Sequence, residues 1–289
     1  CRVERTGRNC SAIGRRPHWR SQQGLAGIVT QTIPEYEVYA VKYAERLGSN
    51  HTTFVFKDIH DGPMPMDYFV WAIIGGGKTF IVDLGFDRRY ARGERHLLRT
   101  PAEGLKFLDI DAAQVEEVIV SHMHYDHAGS LPDFPRARLY LQEDEMAMST
   151  GHFMKYKAFR HGNFIEYTVD FVRAVYDDRV QYLDGSQTIA PGIELHRVGG
   201  HTHGIQIARV WTRGGWLVLA SDAVHMYDNM NKQNPYPAVF DMRAMLDGFR
   251  DMQNLVDSPD RIIPGHDPLV KIFFPAASAK LEGKVVRLD

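Results

Sequence analysis

The chain has 289 residues, 44% of them apolar and 24% charged, with a formal net charge of −2 at pH 7. These values exclude a fibrous or wholly disordered polypeptide and describe a globular protein with a sizeable core. Near-neutral charge gives no footing for nucleic-acid binding, and no run approaches the roughly 18 consecutive apolar residues of a membrane span, so neither partner is expected.

The charge is unevenly spread. Residues 1–30 hold six Arg, one Glu and no Lys or Asp, a balance of +5 that leaves −7 for the remainder. With no sustained periodicity, residues 1–33 read as a disordered basic tail, and 34–289 as a single domain. The chain begins with Cys1; translated upstream sequence accounts for this segment more simply than a transit peptide or a lipid-modified Cys1. Cys1 and Cys10 are the only cysteines, so the body depends on no disulfide, as suits a cytoplasmic protein.

The body opens with an alternating strand from Tyr36. Tyr68 to Ile74 and Lys78 to Asp83 then form a hairpin about Gly75-Gly76-Gly77, a turn and not a phosphate cradle, since no helix start or Lys-Ser/Thr follows. The segment from His60 to Asp67, with two prolines and two methionines, either walls a pocket or simply connects. Helices are expected over Tyr90 to Arg99, from Pro101 to Leu108, and from Asp111 to Glu116.

Val118-Ile-Val-Ser-His122-Met-His124-Tyr-Asp126-His127 follows: an apolar strand that ends in three histidines and an aspartate within six residues. On extended backbone His122 and His124 point the same way and can grip one ion, while Asp126 and His127, where the chain turns at Ala128-Gly129, can face a second. One loop cannot fill two coordination shells, so further donors are expected at later strand ends. His201 follows Val198-Gly-Gly, Asp222 ends the apolar strand Trp216 to Ser221, and His266 follows Arg261-Ile-Ile-Pro-Gly.

Between these ligand strands, Ala137 to Gln142 reads as a strand and Glu143 to Thr150 as a helix. Residues 149–182, rich in rings such as Phe153, Tyr156, Phe159 and Phe164, read as a helical insert that either packs on the body or forms a lid or acyl-chain pocket. The second half supplies a strand from Ile193 to Val198, a hairpin from Ile205 to Ala220, and an amphipathic helix from Asp241 to Val256 that stops at Ser258-Pro259.

The motif His122-x-His124-x-Asp126-His127, with His201, Asp222 and His266, resembles that of the metallo-β-lactamase superfamily, over about Tyr36 to Val270. It is most similar to the N-acyl homoserine lactonase branch, in which Asp stands where many true β-lactamases have Cys. The resemblance implies an α/β fold, a four-layer αββα sandwich. It implies that His122, His124 and His201 bind a first metal and Asp126, His127 and His266 a second, with Asp222 bridging and Asp83 supporting the ligand loop; a plain turn aspartate is the other reading of Asp83. Two divalent ions follow, zinc first, with iron, cobalt or manganese also suited to these donors.

The activity implied is hydrolysis of a lactone ring, N-acyl homoserine lactone-like, by a metal-bridging hydroxide, which is quorum quenching when the lactone is a signal. A thioesterase or glyoxalase-II-like hydrolase is the alternative, and a redox metal protein a third reading. The substrate is a small lactone or ester, and a homodimer is open. Asp126, His225 and Tyr227 are the candidate catalytic side chains: the lactonases place a Tyr three residues after the bridging Asp, where this sequence has His225, with Tyr227 two further on. His203 lies two residues from His201 but is not part of the pattern.

Overall fold

Apolar alternation on both faces builds the first sheet of this computed structural model, which describes residues 33–57, 60–91 and 93–289. The basic segment 1–32, with Cys1 and Cys10, lies outside the described residues. The strands in chain order are β1 (Glu37–Arg46), β2 (Met66–Gly75), β3 (Lys78–Val82), β4 (Arg95–Leu97), β5 (Glu117–Ile119), β6 (Arg138–Gln142), β7 (Val180–Leu183), β8 (Gln187–Ala190), β9 (Ile193–Arg197), β10 (Gln206–Thr212), β11 (Gly215–Ser221), β12 (Ile262–Pro264) and β13 (Val285–Arg287). The first sheet runs β13-β1-β2-β3-β5-β6-β7, with β4 also pairing with β1; the second runs β12-β11-β10-β9-β8.

In β2 the period of two is explicit. Phe69, Trp71 and Ile73 face the second sheet and join Leu195, Val210, Leu217, Leu219 and Ile263 in the central core. Tyr68, Val70 and Ala72 face the opposite way, into a core roofed by Leu105, Tyr167 and Phe171. On the far side of the second sheet, Ile207, Val218 and Ala220 pack against Met245, Phe249 and Met252 of the helix Met242–Gln253. The layers are therefore helix, sheet, sheet and helix, the expected αββα sandwich. Gly75 pairs with Lys78 across Gly76 and Gly77, whose φ values of 58° and 74° are those of a tight hairpin turn that glycine adopts freely.

Two expectations are corrected. Tyr90 to Arg99 is not a helix: Arg95–Leu97 pairs antiparallel with Ala44–Arg46, beyond the register shift between Lys42 and Ala44 of β1. Gly93 in the left-handed region (φ 64°) turns the chain just before it, which a helix would not allow. The insert is also shorter than 149–182, because Val180–Leu183 pairs parallel with Leu139–Gln142 and belongs to the sheet. Its helical part comprises short turns over His152–Lys155 and Lys157–Arg160 and the helix Ile165–Tyr176.

The sheets are aligned so that the ends of β3, β5, β11 and β12 meet at one edge, since β3 and β5 are parallel, as are β11 and β12. Gln206 ties the sheets there, donating its side-chain amide to the carbonyls of Val120 and Tyr140. Among the described residues no helix is long and apolar enough to cross a membrane.

Candidate metal centre

Each donor singled out in the sequence arrives at this edge on the residues just after a strand, and all are buried. Two groups form among the described residues: His122, His124, His201 and Asp222, and Asp126, His127, Asp222 and His266, each with donor atoms within 4.8 Å of one another. Asp222 belongs to both. Its Oδ2 lies 3.7 Å from His122 Nε2 and 3.3 Å from His201 Nε2, and its Oδ1 lies 3.2 Å from His127 Nε2 and 2.9 Å from His266 Nε2. One carboxylate thus turns one oxygen toward each group.

The imidazoles are oriented from behind. His127 Nδ1 donates to Asp83 Oδ2 at 2.7 Å, His201 Nδ1 to the Ala238 carbonyl at 2.8 Å, and His266 Nδ1 to the Asp67 carbonyl at 2.9 Å. With Nδ1 so engaged, each turns Nε2 inward, the nitrogen that would serve as the metal ligand. Asp83 also accepts from the Ser121 backbone and hydroxyl and from the Ser221 hydroxyl. Asp83 and Ser221 hold φ values of 64° and 45°, left-handed conformations uncommon for non-glycine residues and maintained here by this buried network. Of the two readings of Asp83, the supporting one describes what it does.

Glu145 carries no signal in the sequence. Its buried carboxylate accepts from the Met123 backbone at 2.9 Å, the Thr202 hydroxyl at 2.7 Å and the Gly204 backbone at 3.0 Å, fastening the loop of His122 and His124 to that of His201. Burial raises its pKa. The insert reaches the same place: the Gly162 carbonyl accepts from the Tyr125 backbone at 2.8 Å, and a Cβ on Gly162 would fall 2.5 Å from the His124 ring. Only glycine allows that approach.

The donor set fits divalent cations. His122 Nε2, His127 Nε2 and Asp222 Oδ1 are buried without a hydrogen-bond partner, although the last two lie 3.2 Å apart, so their alignment is not that of a hydrogen bond. Burial lowers the pKa of His122 and His201 well below the usual imidazole value and that of His124 to about 3, keeping them neutral. Around His127, burial is outweighed by the carboxylates of Asp222, Asp83 and Asp126, which raise its pKa well above the usual value. Positive charge is favoured there, and a cation would supply it.

The residues outside the ligand pattern part company. His225 is buried, with Nε2 3.0 Å from Asp222 Oδ2 and its ring stacked on Tyr236 at 3.9 Å and 10°. Tyr227 turns away: its ring packs on Phe273 and lines a separate cavity with Asp228, Pro259 and Leu269. His203 stays outside both groups, against Phe240 and Phe153.

A model described as the metallo-beta-lactamase superfamily matches residues 64–266, a span that includes every donor named above. The chain belongs to this superfamily. Among relatives, an N-acyl homoserine lactonase of Bacillus sp is 26% identical over 165 residues, 56% of this chain and 60% of that protein. The N-acyl homoserine lactonase AttM of Azorhizobium caulinodans is 30% identical over 180 residues, 57% of this chain and 62% of that protein. The chain thus spans about 60% of the length of these superfamily relatives.

Among solved structures, a mutant of Bacillus thuringiensis AiiA with N-decanoyl-L-homoserine at its active site superposes with a TM-score of 0.68 at 18% identity, covering 83% of this chain and 96% of that one. The dizinc quorum-quenching lactonase AidC, in complex with a product, gives 0.65 at 15% identity, covering 82% and 89%. At these identities the likeness is one of superfamily fold.

Proposed function

We propose that this protein is a metal-dependent hydrolase that opens the ring of a lactone of the N-acyl homoserine type, and that it quenches signals of that class. The observation that carries the reading is Asp222, whose two oxygens face two separate clusters of inward-turned imidazoles. The N-acyl homoserine lactonases among its relatives point to the substrate.

On this reading His122, His124 and His201 hold one ion, Asp126, His127 and His266 the other, and Asp222 spans both. Two divalent ions, when bound, lower the pKa of a coordinated water toward about 7 and polarise a carbonyl. The protein contributes the rest. Asp83, Ala238 and Asp67 fix three imidazoles by their outer nitrogens, Glu145 locks two ligand loops together, and the burial of every donor keeps the electrostatics strong by excluding water. Zinc is the metal we propose, from the imidazole and carboxylate donors and from the dizinc AidC. A body without thiols supports a cytoplasmic setting.

The reading is tested by assaying N-acyl homoserine lactones with zinc-reconstituted protein and following release of acid. Ring opening that chelation abolishes is the expected result; no opening of any lactone, with metal shown to be bound, contradicts it.

A further inference from the structure

His266 is gripped twice by a residue of the other sheet. It comes just after β12, and Asp67, near the start of β2, donates its backbone N–H to the His266 carbonyl at 3.0 Å and accepts the His266 Nδ1–H on its own carbonyl at 2.9 Å. The place of the Asp67 backbone therefore sets the direction of the imidazole. Asp67 itself is held by charge. Its buried carboxylate stands between two ammoniums, with Oδ1 2.7 Å from Lys42 Nζ and Oδ2 2.6 Å from Lys271 Nζ, the latter aligned as an ion pair and not as a hydrogen bond.

A regular β1 would not gather these charges. Side chains three apart on such a strand point to opposite faces, yet Lys42 Nζ also meets Glu45 Oε2 at 2.5 Å. The reason is a β-bulge. Lys42 pairs with Phe69 and Ala44 with Tyr68, so Tyr43 is an extra residue, and Lys42 and Glu45 fall opposite Phe69 and Asp67, which share a face of β2. The bulged residue serves the same metal group, since the buried Tyr43 hydroxyl donates to the Asp126 carbonyl at 3.0 Å. One irregularity of β1 thus reaches Asp126 through Tyr43 and His266 through Lys42 and Asp67.

Stability alone does not account for the cluster. Taking a carboxylate and an ammonium out of water costs about as much as their attraction returns, and apolar side chains of similar volume often serve a fold as well. What the charges supply is a fixed place for Asp67. Both ammoniums border a cavity of about 520 Å³ that none of the metal donors lines, so they act on the centre through Asp67 and not by contact with a substrate held there.

We propose that Lys42 and Lys271 are positioning residues for one of the two ion sites: by clamping the Asp67 carboxylate from both sides, they fix the backbone that aims His266. This rests on the reading of Asp126, His127, Asp222 and His266 as a metal site of its own.

The test uses the full chain, freed of metal and reloaded with zinc, with each ion's affinity read by competition against a zinc-binding chromophore and stability read as a denaturant midpoint. Lys271→Met is the first variant, because it leaves Asp67 paired with the buried Lys42. It is expected to weaken the ion of the His266 group by about 10-fold and to leave the ion of His122, His124 and His201 unchanged, with Lys271→Arg restoring most of the loss. Added to His266→Ala, it should not alter the ion that remains. Lys42→Met with Asp67→Asn removes a buried charge of each sign together, and should keep a midpoint near wild type while the His266 ion stays weakened. Affinity within about twofold of wild type in Lys271→Met, well short of the usual loss, overturns the proposal. Equal weakening of both ions overturns it too, as does full recovery of the His266 ion in the charge-balanced double variant, which would assign the lysines to charge balance alone. If the wild type binds a single zinc at saturation, the reading of two ion sites falls and the proposal with it; if it binds two and the variants do not differ from it, the proposal alone falls.

Discussion

Asp83 Oδ2 accepts the Nδ1–H of His127 at 2.7 Å, and through that bond a residue from the end of β3 decides which nitrogen His127 turns toward Asp222. Removing such an outer partner typically weakens metal binding by about 10- to 100-fold. Asp83→Ala should therefore release the ion of the Asp126, His127 and His266 group first in a chelator competition, with the His122, His124 and His201 group retained longer. Equal release of both ions would mean that Asp83 serves the fold and not His127.

Seven donors at four strand ends call for two ions per chain. Elemental analysis of protein saturated with zinc should give two. Asp222→Ala, which removes an oxygen from each group, should weaken both sites, and His266→Ala should mainly empty the second. A ratio of one at saturation contradicts the dinuclear account.

The insert meets the centre through rings. Phe159 lines a narrow cavity with Phe240 and His161 against His124 and His201, and Phe153 packs on both Phe159 and Phe240, while Tyr156 is 56% exposed. Phe159→Ala should raise KM for long-acyl lactones more than for short ones, each buried methylene being worth about 0.8 kcal/mol, and Phe153→Ala should follow the same trend. Tyr156→Ala should change either KM least. Equal losses at both chain lengths would assign these rings to packing alone.

Stability should fall in alkali for an identifiable reason. Burial, reinforced by donation to Glu37 at 2.8 Å, pushes the Tyr39 hydroxyl up from 10.0 to about 12, and burial with donation to Glu117 at 2.9 Å does the same for Tyr140. The folded state holds these protons more tightly than the unfolded state. The stabilisation is fully present below pH 10, and is lost as pH rises toward 12. Denaturant midpoints measured across that window should decline, and Glu117→Gln should bring the Tyr140 titration to lower pH. Midpoints that rise through the window would contradict the assignment.

Much of the fold and the centre is legible in the sequence because strand and site share a signal. Apolar runs that end in His or Asp mark both the strand and the donor it delivers, so β5, β11 and β12 and the donors after them read directly. What escapes depends on partners distant in the chain. Glu145 looks like an ordinary acidic residue in the first turn of a helix until Met123, Thr202 and Gly204 surround it. Arg95–Leu97 has no strand pattern of its own and is extended because the edge of β1 accepts it. Proximity to Asp222 in the chain points to Tyr227 as the phenol beside the centre, whereas the loop that returns over His225 brings Tyr236.

The most direct test of the central claim is hydrolysis of a panel of lactones, thioesters and β-lactams by protein freed of metal and reconstituted with zinc. The account predicts that acylated homoserine lactones are opened fastest, that the activity disappears on chelation, and that it returns with the second equivalent of zinc. Turnover of thioesters or β-lactams in preference to every lactone, or lactone opening that persists without metal, would contradict it.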